Sequence, residues 1–104
     1  MIPIKDAQKL FTDTDFWIGK HNFTDKKPYE KVRTVGNTVI RVKNDKNRIN
    51  FTTNMAHSTH ELTIFLYGFI DYDDLCYYVS DTINAIVGRI THEAYWESKP
   101  KEKG

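Results

Sequence analysis

The order of apolar and polar positions divides the chain into a short helix, a run of strands and a long helix. Ile4, Ala7, Leu10 and Phe11 recur at helical spacing directly after Pro3, a residue suited to a first helical turn, so a short helix is expected over residues 3–12. Residues 13–28 are rich in turn formers but hold Phe16, Trp17, Ile18 and Phe23, a cluster expected to plug one edge of the core from an irregular segment. Two β-branched runs, 31–35 and 38–43, flank Gly36-Asn37, and Asn44-Asp45-Lys46-Asn47 separates the second run from residues 48–53. This pattern predicts a three-stranded antiparallel meander. Residues 61–69 read as a fourth strand, with Leu62, Ile64 and Leu66 on one side and Thr63, Phe65 and Tyr67 on the other; apolar on both sides, it is expected to be central or covered twice. Asp71, Asp73 and Asp74 mark a helix start, and Tyr72, Leu75, Cys76, Val79, Ile83, Ile86, Val87 and Ile90 follow at i, i+3, i+4 spacing. Two endings are open: Gly88 stops the helix and Ile90, His92, Ala94 and Trp96 alternate as a last strand, or the helix runs on to Trp96.

Strand register is predicted by keeping apolar residues on one face. A three-residue first loop, Gly36 to Thr38, pairs Val35 with Val39, Thr34 with Ile40 and Val32 with Val42; a four-residue second loop pairs Lys43 with Arg48 and Val42 with Ile49. The expected core face is Val32, Thr34, Ile40, Val42, Ile49 and Phe51. The expected outer face is Lys31, Arg33, Val35, Val39, Arg41, Lys43, Arg48, Asn50 and Thr52, with Arg33 opposite Arg41. The fold class is α+β: one domain over residues 1–98, an antiparallel meander of four or five strands packed against a long C-terminal helix, with a short N-terminal helix and a flexible tail at 99–104.

A chain of 104 residues suits one core, and 39% hydrophobic residues are enough to build it. The longest apolar run, residues 62–70, is far below the roughly 18 residues of a membrane span, and the N-terminus has no cationic patch followed by an apolar stretch. One cysteine, Cys76, makes no internal disulfide, which fits a reducing compartment; the expected location is cytoplasmic. The formal net charge of +1 conceals a segregation. Residues 20–48 hold nine basic side chains against Asp25, Glu30 and Asp45, a sum of +6, whereas residues 49–98 hold seven acidic side chains against Arg89, a sum of −6. Such halves neutralise each other, face different partners, or join neighbouring copies into a weak, salt-labile homo-oligomer.

Candidate chemistry is thin. His57 and His60, three apart before a strand, have no second ligand pair at zinc spacing, and Asp-Tyr-Asp-Asp lacks the glycine and closing glutamate of a calcium loop. Cys76 falls on the apolar stripe and reads as a small core residue. No phosphate-binding glycine loop or serine elbow is present. The expectation is therefore no enzyme, no catalytic residue, no metal and no cofactor. Ser58-Thr59-His60-Glu61 resembles a string in the pterin carbinolamine dehydratases, but their His-His-Pro motif is absent, so no activity carries over.

The remaining signal is the basic sheet face. Lys31, Arg33, Arg41, Lys43 and Arg48 beside Phe65 and Tyr67 would combine phosphate pairing with base stacking, so the leading expectation is a binding protein that contacts nucleic acid or a nucleoprotein there. The alternative is a protein-interaction module that uses the acidic helix, through Asp74, Tyr77 and Asp81, and the bipolar surface. Lys, Asn and Tyr usage suggests an AT-rich genome such as that of a phage or mobile element. In outline the element order resembles small phage tail-joining proteins, and the size that of small phage inhibitors of host or defence complexes.

Overall fold

The computed structural model describes residues 1–27, 29–55 and 59–98, with side chains up to residue 92. The expected tail at 99–104, His57 and Ser58 lie outside the described residues. Pro3 gives an extended lead-in whose carbonyl accepts the N–H groups of Asp6 and Ala7, opening α1 (Ile4–Gln8), which tightens into a 3-10 turn over Lys9–Thr12. Asp13 then starts the next segment: its carboxylate accepts the Phe16 N–H at 3.1 Å, and a π-helical turn runs over Asp15–Lys20. Phe16 and Trp17 both reach the core from this turn, while Ile18, expected inside, is exposed. Trp17 meets Phe11, Phe16 and Phe23 edge to face with centroids 5.1–5.5 Å apart, and its indole N–H donates to the Leu10 carbonyl at 2.8 Å.

Five antiparallel strands follow in chain order across one sheet: β1 (Thr24–Lys27), β2 (Glu30–Val35), β3 (Thr38–Asp45), β4 (Arg48–Asn54) and β5 (Thr59–Phe65). β1 escapes the hydrophobic pattern because it has no apolar residue; it is a polar edge held by strand pairing and by the Thr24 hydroxyl and Asp25 carboxylate, which bond the Val32 carbonyl and the Lys31 ammonium.

The register differs from the expected one. Gly36 takes φ +60°, and Gly36-Asn37 closes a two-residue turn that pairs Val35 with Thr38, Arg33 with Ile40, Val32 with Arg41 and Lys31 with Val42. A glycine able to adopt that φ makes the shorter, twist-matched loop available. The one-residue difference turns every β2 side chain over. Val32 and Thr34 stand on the outer face, and Lys31, Arg33 and Val35 share the inner face with the buried Ile40 and Val42. Lys31 is tolerated there because its ammonium lies 4.8 Å from the Phe11 ring centroid and 2.5 Å from the Asp25 carboxylate, whose residue sits opposite on β1. The second turn is also two residues, Lys46-Asn47, pairing Asp45 with Arg48 and Val42 with Phe51; its shift of two residues leaves the β3 and β4 faces as expected.

Lys46 holds φ +52°, a left-handed conformation that a Cβ makes costly. Lys46→Gly is expected to raise stability by about 1 kcal/mol, read as a higher urea midpoint with an unchanged slope.

β5 is an edge strand, neither central nor covered twice. Ile64 is buried, but Leu62 and Phe65 are 45% and 46% exposed. α2 spans Tyr72–Ser98, so the last-strand alternative falls. The stripe continues to the buried Ile90, and glycine in a helix costs only about 1 kcal/mol, so Gly88 does not stop it. Asp71 starts the helix by accepting the Asp74 N–H at 2.8 Å, and the Asp74 carboxylate accepts the Ile70 N–H at 3.4 Å. Leu75, Val79, Ile83 and Ile90 are buried in one core with Ile40, Val42, Ile49, Phe51, Ile64 and the N-terminal aromatics.

Candidate interaction surfaces

The expected basic face is divided between the two sides of the sheet. Lys31 is buried in its pair with Asp25, and Arg33 stands half-buried on the inner side. Arg41, Lys43 and Arg48 do lie on the outer face, but each has a carboxylate. Glu30, itself buried, accepts from Arg41 Nη1 at 3.3 Å and lies 3.9 Å from Lys43 Nζ; Asp45 Oδ2 accepts from Arg48 Nη2 at 2.9 Å. The expected like-charge oppositions are absent: Arg33 faces Ile40, Lys43 faces Asn50 and Arg48 faces Asp45 across one ladder and Phe65 across the other. Phe65 and Tyr67 are exposed, with ring centroids 5.5 Å apart. The outer face is otherwise carried by Val32, Thr34, Val39, Asn50, Thr52, Asn54, Thr59, Glu61 and Thr63.

On α2 the expected residues are brought together. Asp74, Tyr77 and Asp81 lie opposite the buried stripe, and Tyr78 completes the set: 74–77, 74–78, 77–81 and 78–81 are all i, i+3 or i, i+4 neighbours. Tyr77 is 75% exposed and Tyr78 52%. The Tyr78 ring is steadied edge to face by Phe69 at 5.5 Å. No basic residue occurs from Ile70 to Gly88, so Asp71, Asp73, Asp74 and Asp81 give this face one sign. Each ion pair between described residues joins two residues of the first 48, and Lys20 of the basic segment lines a cleft together with Asp73 and Asp81 of α2. Tyr78 was missed as a candidate although its offset from the apolar stripe marks it.

A cleft of about 510 Å³ opens beside Tyr77, between the π-helical turn and α2, lined by Lys20, Asp73, Cys76, Ser80, Asp81 and others. Burial pushes the Cys76 thiol on its lining up, away from the reactive thiolate. Burial likewise raises the phenol of Tyr72, one turn before Cys76 on α2, above its ordinary range. His21 is buried against Phe16, with Nε2 2.9 Å from Ser80 Oγ, joining the π-helical turn to α2. Burial, then the nearby Lys20 and Arg33 charges, hold its pKa below the ordinary 6.5. The unfolded chain therefore takes up this proton first as pH falls, and stability drops below about pH 6.5 until the folded imidazole protonates as well. Urea midpoints should fall from pH 7 to about pH 5, and His21→Asn should remove that part of the pH dependence.

Among the described residues, no group of three His, Cys, Asp or Glu side chains is placed to hold a metal, and no helix is long and apolar enough to cross a membrane. Comparison with protein-family models, curated proteins and solved structures gives no match.

Proposed function

We propose that the chain is a non-enzymatic protein-interaction module, an inhibitor or an assembly component, that presents the acidic, tyrosine-bearing face of α2 to a basic protein surface. The observation that carries this reading is the group Asp74, Tyr77, Tyr78 and Asp81: two largely exposed tyrosines among carboxylates of one sign, on a helix whose opposite stripe is anchored in the core. Tyrosine supplies large contact area at low entropic cost, and unpaired carboxylates favour a cationic partner and speed its encounter. The cleft beside Tyr77 sets the carboxylates of Asp73 and Asp81 against the single cation Lys20, a net negative lining that favours a partner's lysine or arginine beside the Tyr77 ring.

A second reading rests on the exposed Phe65–Tyr67 pair with Arg48 opposite Phe65: a reduced nucleic-acid face of Arg41, Lys43, Arg48, Phe65 and Tyr67. Its cations are already paired with Glu30 and Asp45, which lowers their value to phosphate. Fluorescence anisotropy with a labelled deca-arginine peptide and a labelled single-stranded oligonucleotide, at about 50 mM salt, separates the two. The peptide should bind and the oligonucleotide should not; the reverse result replaces the first reading by the second.

A further inference from the structure

The two edges of the sheet are built differently. β1 is four residues long, carries Lys26 and Lys27, and breaks register between Asp25 and Lys27, the features that discourage another strand from adding to an edge. β5 has seven residues, Thr59 to Phe65, in unbroken register with β4. It contains no lysine, proline or bulge, and its one acidic residue is Glu61. The described residues place no strand on its outer side.

The hydrogen-bond phase of this edge follows from one contact. The Leu66 N–H donates to the Asn47 carbonyl, so on β5 the main-chain groups of Ile64, Leu62 and His60 face β4, and those of Thr59, Glu61, Thr63 and Phe65 point away from the sheet. We infer that a second copy of this chain docks on this edge, β5 antiparallel to β5, making one continuous sheet across a two-fold axis at Leu62.

The strand is complementary to itself in three respects. First, Glu61 comes opposite Thr63 of the second copy and Thr59 opposite Phe65, so each outward-pointing donor and acceptor meets another outward-pointing residue; a one-residue slip would set them against groups already bonded to β4. Second, no like charges face each other, since Glu61 meets a threonine. Third, the phase keeps the inner faces of both sheets on one side, so the half-exposed Leu62 side chains meet at the axis. They stand at the mouth of a cleft of about 250 Å³ lined by Phe51, Met55, Leu62 and Ile86 among others. Main-chain bonds and apolar contact make this dimer insensitive to salt, unlike the association expected from the segregated charges.

Sedimentation equilibrium of the full chain at low and high salt, with Glu61→Pro and Leu62→Lys, tests this. Proline at 61 removes an outward N–H and leaves the β4 ladder intact; lysine at 62 sets two charges against each other on the axis. The wild type should dimerise at both salt concentrations, and each variant should lose roughly tenfold or more in dimer affinity. Hydrogen exchange on the wild type gives a readout that needs no variant: the Glu61 and Thr63 amides should become protected as concentration rises. A wild-type monomer throughout, a dimer that survives both substitutions in folded protein, or concentration-independent exchange at Glu61 and Thr63 overturns the inference.

Discussion

Trp17→Ala is expected to remove a large part of the folding stability, about 3–5 kcal/mol. The indole is fully buried, touches Phe11, Phe16 and Phe23 edge to face, and satisfies the Leu10 carbonyl at the end of the N-terminal helical segment. Truncation leaves a cavity among rings held by irregular backbone and takes the indole donor from that carbonyl, which keeps the Asp13 N–H. Large-to-small changes of this kind cost about 3–5 kcal/mol, against a total stability of about 5–15 kcal/mol for a domain. Trp17→Phe keeps most of the apolar volume and loses the donor, so its cost should be nearer 1–3 kcal/mol. Far-UV circular dichroism and urea titration of both variants check the ordering; a Trp17→Ala protein as stable as wild type would mean that this cluster does not hold the N-terminal segment on the sheet.

The second large effect concerns binding and should leave stability alone. Tyr77→Ala combined with Asp81→Lys removes an exposed ring and reverses a charge on the α2 face while avoiding Asp71 and Asp74, which start the helix. Loss of a central tyrosine costs about 2 kcal/mol in a protein interface, and with the reversed charge the affinity for a cationic partner should fall at least thirtyfold or so. Folding stability should change by about 0.5 kcal/mol or less, as is usual for exposed positions. Thermal melts and deca-arginine anisotropy on the same preparations make the comparison. Equal losses of stability and binding would assign the change to folding.

The helical part of this architecture is legible in the sequence because its signal is redundant. Eight apolar positions of α2 agree on one stripe, and four of them, Leu75, Val79, Ile83 and Ile90, are buried. The sheet faces are less legible because they hang on a single loop length: with period-two alternation, reading Gly36-Asn37 as a three-residue loop exchanges Lys31 and Arg33 with Val32 and Thr34. Apolar segregation favoured the wrong choice, since it counts a lysine on the inner face as an error. Nothing local announces that Asp25, on a strand with no apolar residue, pairs with Lys31, or that Phe11 receives its ammonium. The same limit hides the edge position of β5, whose apolar residues on both sides imitate a doubly covered strand. The α2 face could be read in advance because residues off a well-defined stripe are exposed; the sheet face could not, because Glu30 meets Arg41 and Lys43 only through the true register.

The claim that function resides on α2 rather than on the outer sheet is tested most directly by recording amide shifts of labelled protein during titration with the deca-arginine peptide and, separately, with the oligonucleotide. The account predicts that the peptide perturbs Asp73, Asp74, Tyr77, Tyr78 and Asp81 in a saturable manner, and that the oligonucleotide leaves the spectrum unchanged. Oligonucleotide-induced shifts at Arg41, Lys43, Arg48, Phe65 and Tyr67, with α2 silent toward the peptide, would contradict it.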